Sequence, residues 1–158
     1  MDEAAKKTAL RMVPYALYVI GVGEGQESTV STINWLTQTS FQPPLMAVGV
    51  KADTGTFEIL KKHRKFAISI LATGQKDLAF AFFKHVEPHD GKFGDHHYVT
   101  HTTGAPILPA AAAWFECNVT DIVERGDHAL VVGEVIEAGV REQVDPLTLK
   151  ECGVNYAG

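Results

Sequence analysis

The chain has 158 residues, a length that predicts one domain over residues 1–158. At 46% hydrophobic and 21% charged it has the balance of an ordinary globular protein. The net charge of −5 argues against nucleic acid as a main partner, and the only basic cluster, Lys61, Lys62, Arg64 and Lys65, fits the wet face of a helix.

Asp2 to Met12 is expected as a short helix, acidic at its start, with Lys6, Lys7 and Arg11 later, as the helix dipole prefers. Pro14 ends it. The apolar run Val13 to Val22 follows basic residues, as in a signal peptide, but Asp2 and Glu3 open the chain and no small-residue cleavage site follows. The run is also too short to span a bilayer, so it is expected as a buried strand, Tyr15 to Gly23. Gly23 to Gln26 then makes a hairpin turn into a second strand, Glu27 to Ile33. Trp35 to Phe41 is an irregular third strand. Pro43-Pro44 forces a turn before Leu45 to Lys51, an all-apolar strand expected to be buried on both faces.

Thr56 to Lys65 is a helix with Phe57, Ile59 and Leu60 on its apolar side. A strand follows at Phe66 to Leu71, then a helix at Gln75 to Lys84 and a loop through Gly94. Tyr98 to Thr103 with Gly104 to Leu108 gives a short strand and turn. Ala111 to Asp121 places Phe115, Cys117 and Val119 on one side, and Glu116, Asn118 and Thr120 on the other. The turn Arg125 to Asp127 joins it to a long strand, His128 to Gly139, and Leu147 to Leu149 is a last edge strand. Six or seven strands with two or three short helices predict a mainly β protein, an antiparallel barrel with helical crossovers. No phosphate-binding glycine motif is present, and Gly21 to Gly25 lacks the spacing of a dinucleotide fingerprint.

Metal, nucleophile and acid–base readings find little support. Five of seven histidines fall between His85 and His101, but His96 and His97 are adjacent and point to opposite faces of an extended chain. No G-x-S-x-G elbow occurs. Cys117 and Cys152 form neither a C-x-x-C pair nor a zinc set, and fit reduced thiols in a cytoplasmic protein. His128 is either a structural turn residue or a polar group at the mouth of a site.

A cofactor with its own reactivity removes the need for such groups. The stretch Thr29 to Thr56 suits a flavin mononucleotide, FMN. Thr32, Asn34, Thr37, Gln38 and Ser40 offer hydroxyls and amides for a ring edge and ribityl chain. Lys51, Thr54 and Thr56 offer a cation, hydroxyls and a helix start for a phosphate. A polar strand and turn on a barrel surface is the plainer alternative.

The run S-T-I-N-W-L-T-Q-T-S-F-Q-P-P-L-M-A-V-G-V resembles the flavin reductase-like family, whose members have an FMN-binding split barrel. Further matches follow in the family's order: Phe66 to Leu71, Lys92-Phe93, Thr103 to Leu108, Glu116-Cys117, Gly126 to His128 and Gly133 to Val135. The resemblance implies a Greek-key-like split barrel that forms a homodimer, binds FMN near the subunit interface, and passes hydride from NADH or NADPH to the flavin. It implies that Thr32, Ile33, Asn34 and Trp35 line the ring and ribityl, with Lys51, Thr54 and Thr56 at the phosphate. It also implies that Phe93 covers the ring from a loop and that His128 lies on the nicotinamide side. Family members often have Ser where this chain has Asn34. The chain stops soon after Tyr156, so a completing C-terminal segment is expected to be absent or short. Two other readings are an electron-transfer module that holds FMN and is reduced by a partner protein, and a pyridoxamine-phosphate-oxidase-like barrel. The latter would want more cations than Lys51 near the phosphate.

Overall fold

Alternating apolar residues and a two-residue turn set the first pair of strands in the computed structural model, which describes all 158 residues. Strands β1 (Tyr18–Glu24) and β2 (Glu27–Ile33) pair antiparallel, with Glu24 opposite Glu27 and Gly25 at φ +55° in the turn. Helix α1 (Glu3–Arg11) precedes them, capped by the Asp2 carboxylate, which accepts from the Ala4 and Ala5 N–H groups.

A second hairpin joins β3 (Leu36–Phe41) to β4 (Pro44–Lys51), with a bulge between Gln38 and Ser40. Helix α2 (Gly55–His63) and β5 (Lys65–Ile70) follow, then α3 (Lys76–Phe80). Three two-residue strands, β6 (Pro88–His89), β7 (Lys92–Phe93) and β8 (His96–His97), make a small separate sheet. The long hairpin β9 (Ala113–Val123) and β10 (His128–Val140) and the short helix α4 (Leu149–Cys152) complete the chain.

The main sheet has seven strands in the order β2-β1-β5-β9-β10-β4-β3, and every pairing is antiparallel. Three sequential hairpins are thus stitched by non-sequential pairings, as in a Greek key. The two edge strands, β2 and β3, are consecutive in sequence yet do not pair. The barrel is therefore split between them, and only Asn34 and Trp35 cross the split.

The curled sheet has apolar side chains on both faces. Ile20, Val22, Val48, Val50, Phe66, Ile68, Cys117 and Val131 fill the inside, closed by Phe57 and Leu60 of α2. Val19, one position out of phase, joins a second core with Leu17, Val30, Leu71, Phe82, Phe93, Leu108 and Leu147. Burial pushes the Cys117 thiol up to about 12, with the Glu116 carboxylate adding to it, so this residue acts as packing.

Five expectations need correction. Leu147–Leu149 is not a strand: Thr148 caps α4, its hydroxyl accepting from the Glu151 N–H at 3.1 Å, and only isolated bridges tie this stretch to Ala16 and Ala72. Tyr98–Thr103 keeps one bridge, Val99 to Ile107. Helix α3 is half the expected length, ending before Ala81. On β4 only Ala47, Val48 and Val50 are buried, because nothing covers Leu45 and Met46 fully. Finally, Glu116 is fully buried rather than wet. Its carboxylate accepts from the N–H groups of Thr102 at 3.0 Å and Thr103 at 2.9 Å, and from the Thr103 hydroxyl, which pins the 98–108 loop to the sheet.

Candidate functional site

A cavity of about 690 Å³ opens where the barrel is split. The end of β2 supplies Ser31, Thr32 and Ile33, and Asn34 follows where the chain crosses the split. The end of β4 supplies Gly49, Val50 and Lys51, and the start of α2 supplies Thr54, Gly55 and Thr56. His128 enters from the start of β10, because antiparallel pairing sets it opposite Lys51.

One end is built for an anion. Thr54 adopts extended backbone and caps α2, its hydroxyl accepting from the Phe57 N–H at 3.3 Å and donating to the Lys51 carbonyl at 2.7 Å. The N–H groups of Gly55 and Thr56, in the first turn of the same helix, have no intrahelical partner. The Thr56 and Ser31 hydroxyls lie 2.6 Å apart. The Lys51 ammonium sits 3.4 Å from the Asp53 carboxylate, and both are exposed, so this pair is weak and Lys51 is free to take a better anion.

The other end is aromatic and closed. The His128 Nδ1 lies 2.9 Å from the Asp127 carboxylate and its Nε2 lies 3.0 Å from the Tyr156 hydroxyl. The His128 ring beside it holds the Asp127 carboxyl below its ordinary range. The Trp35 ring packs 4.6 Å from His128 and 5.5 Å from Tyr156, and a Cβ added at Gly49 would lie 3.1 Å from it. The buried Trp35 indole N–H has no hydrogen-bond partner. Asn34, only 5% exposed, donates from Nδ2 to the Tyr156 carbonyl at 3.2 Å.

Seven of the residues singled out from sequence share this one cavity: Thr32, Ile33, Asn34, Lys51, Thr54, Thr56 and His128. Within it, Thr32 is already committed, its hydroxyl donating to the Ala79 carbonyl at 2.5 Å and its N–H to the Phe82 carbonyl at 3.1 Å. Trp35 and Thr37 instead line a neighbouring cavity of about 670 Å³ that shares Gly49 and His128. Ser40 lies beyond both, next to the β3–β4 turn, because β3 runs away from the split after Trp35. Phe93 does not cover the cavity. It is 0% exposed in the second core, 4.8 Å from Tyr98, since the small sheet turns its side chain inward.

Other wall residues escaped the sequence reading. Phe82, Phe83, Lys84 and His85 come from the turn after α3, and Val154, Asn155 and Tyr156 from the segment after α4. The sequence placed Phe82 and Phe83 inside a helix running to Lys84, and nothing local marks Tyr156.

The model of the flavin reductase like domain matches residues 10–157. The chain belongs to the flavin reductase-like family. The reductase subunit of stachydrine N-demethylase from Rhizobium meliloti is 33% identical over 135 residues, 85% of this chain and 57% of that one. The chain thus spans a little over half of that relative, and 32% of a probable flavin reductase from the same organism. The flavin reductase component of a bacterial two-component tryptophan halogenase superposes with TM-score 0.81 at 27% identity, covering 96% of this chain and 95% of that one. The NADH:FAD oxidoreductase of Streptomyces globisporus, in complex with NAD and FAD fragments, is 30% identical with TM-score 0.75, covering 88% and 82%. The family is a flavoprotein family of split-barrel fold, as the sequence resemblance implied. No helix of the chain is long and apolar enough to cross a membrane.

Proposed function

We propose that the protein is an NAD(P)H-dependent flavin reductase that holds FMN in the split-barrel cavity, with residues 1–158 acting as one flavin-binding domain. The observation that carries this reading is the pairing of two unlike ends in one cavity. Lys51, the Thr54 hydroxyl and the free N–H groups of α2 make an anion cradle. Ser31 and Ile33 of β2, with Asn34 just past it, make a mixed polar and apolar wall beside it, and His128 and Tyr156 close the far side with Trp35 packed behind them. This donor set fits a flat polar ring joined to a phosphate.

Bound flavin supplies the two-electron acceptor. The chain's own work would be positioning: Ser31 and Ile33 of β2 would face the ring edge, and Lys51 with the start of α2 would hold the phosphate. NADH or NADPH is the donor, entering from the His128 side. In that role the chain would supply reducing equivalents to a second protein, as the relatives named reductase subunit and reductase component suggest. A homodimer goes with the family resemblance, and the exposed Phe41 at the tip of the β3–β4 hairpin, 91% accessible, is a candidate contact for it. Two free buried thiols fit a cytoplasmic setting.

A second reading, an electron-transfer module reduced by a protein partner, is favoured by one feature: Tyr156 already fills the hydrogen bonds at the donor end. An anaerobic titration decides. Purified protein should quench FMN fluorescence and, once loaded, lose the yellow colour of oxidised flavin when NADH or NADPH is added. Flavin that stays oxidised with both donors leaves the electron-transfer reading; no quenching at all removes both.

A further inference from the structure

The segment after α4 consumes the groups that a ligand at the closed end of the cavity would need. The Asp127 carboxylate can only accept, so the proton of neutral His128 sits on Nδ1 and Nε2 is left as the acceptor for the Tyr156 hydroxyl. Both ring nitrogens are then occupied. The Tyr156 carbonyl takes Asn34 Nδ2 in the same way. One residue therefore ties up Asn34, just past β2, and His128, at the start of β10.

The segment is also loosely held. Past Val154, whose N–H donates to the Leu149 carbonyl at 3.4 Å, no backbone N–H of it is hydrogen-bonded. Tyr156 is 48% exposed. Beyond the Tyr156 ring on Trp35, its further anchors lie outside the cavity on α1, where Arg11 Nε donates to the Ala157 carbonyl at 3.1 Å and Gly158 lies against the Lys7 backbone. Few buried contacts and few backbone bonds mark a region that opens at small free-energy expense.

We propose that Tyr156 is a gate on the donor site: it and the incoming nicotinamide dinucleotide compete for His128, and the segment swings off His128 and Asn34 before the donor stacks. This rests on the reductase reading above. The apparent donor affinity is then the intrinsic affinity reduced by the open fraction, and weakening the closed state raises affinity without touching the ligand's own contacts.

The test uses flavin-loaded protein and two variants. Tyr156→Phe keeps the ring against Trp35 and deletes only the O–H. It should tighten NAD⁺ or NADP⁺ binding about fivefold by calorimetry, the worth of one neutral hydrogen bond, and lower the KM for the matching reduced donor alike. Arg11→Ala, remote from the cavity, should shift both in the same direction by about twofold. A Tyr156→Phe protein with unchanged or weaker dinucleotide binding, in a wild type that turns over, overturns the gate alone. A wild type that binds flavin but never accepts electrons from NADH or NADPH overturns the reductase reading and the gate with it.

Discussion

The two ends of the split-barrel cavity solve opposite problems. At the Lys51–Thr56 end the polar groups are left over: a cation with a poor partner and helix N–H groups with none. At the Asn34–His128–Tyr156 end almost every polar group is already spent inside the chain, and the Trp35 indole N–H is the exception. An end with unspent donors is ready to take a ligand in the conformation seen. An end with satisfied donors takes one only by exchange. Rigid binding of the flavin phosphate and conditional binding of the donor follow from that contrast.

The contrast can be broken from beneath. Phe57 is fully buried under α2, and the helix start depends on that anchor. Phe57→Ala should destabilise the fold by about 3–5 kcal/mol in denaturant titrations and weaken FMN binding along with it, because the cradle loses its seat. A variant that loses stability yet keeps full FMN affinity would mean that the phosphate does not sit on α2.

The closed end is tested by a smaller change. A methyl group at Gly49 would lie 3.1 Å from the Trp35 ring, which has His128 and Tyr156 on its other sides. Gly49→Ala should therefore cost about 1 kcal/mol and shift tryptophan fluorescence, while FMN affinity holds. Equal loss of FMN affinity would show the two ends to be one unit.

The same contrast explains what the sequence disclosed. The anion end is local: Lys51, Thr54 and Thr56 lie within six positions, and a Thr cap before an apolar helix face is a short-range signal. Strand β2 was legible for the same reason, since a hairpin turn and alternation fix it from within. The closed end is not local. Asn34 and Tyr156 are 122 residues apart, and their contact exists only once the segment after α4 has folded back onto the residue that follows β2. Phe93 failed in the other direction: a Lys-Phe pair in a loop carries no sign of which way it faces, and the small sheet chose the core. Glu116 looked wet by alternation, and only the folding back of Thr102 and Thr103 gives its carboxylate a reason to be buried.

Removing the one cation of the cradle should be milder than removing its seat. Lys51→Ala should weaken FMN binding by about 1–2 kcal/mol, measured by fluorescence quenching, with unchanged stability. If affinity is unmoved, the phosphate is held elsewhere on the wall, and Lys84 is the next cation on the same cavity.

The smallest effect is a pH dependence at the closed end. The hydrogen bond from His128, and then its charge, lowers the Asp127 carboxyl below its ordinary value of 3.8. A group depressed in the folded state binds protons more readily when unfolded, so its stabilisation is full above the unfolded value and is lost as pH falls through the folded one. Asp127 is exposed, and solvent keeps the contribution small. Melting temperatures of wild type and Asp127→Asn should therefore differ slightly near neutral pH and converge below pH 3.8. Convergence in the opposite direction, with the gap widening in acid, would mean that Asp127 is held protonated rather than ionised, and that the proton on His128 Nδ1, which leaves Nε2 to Tyr156, has been assigned to the wrong nitrogen.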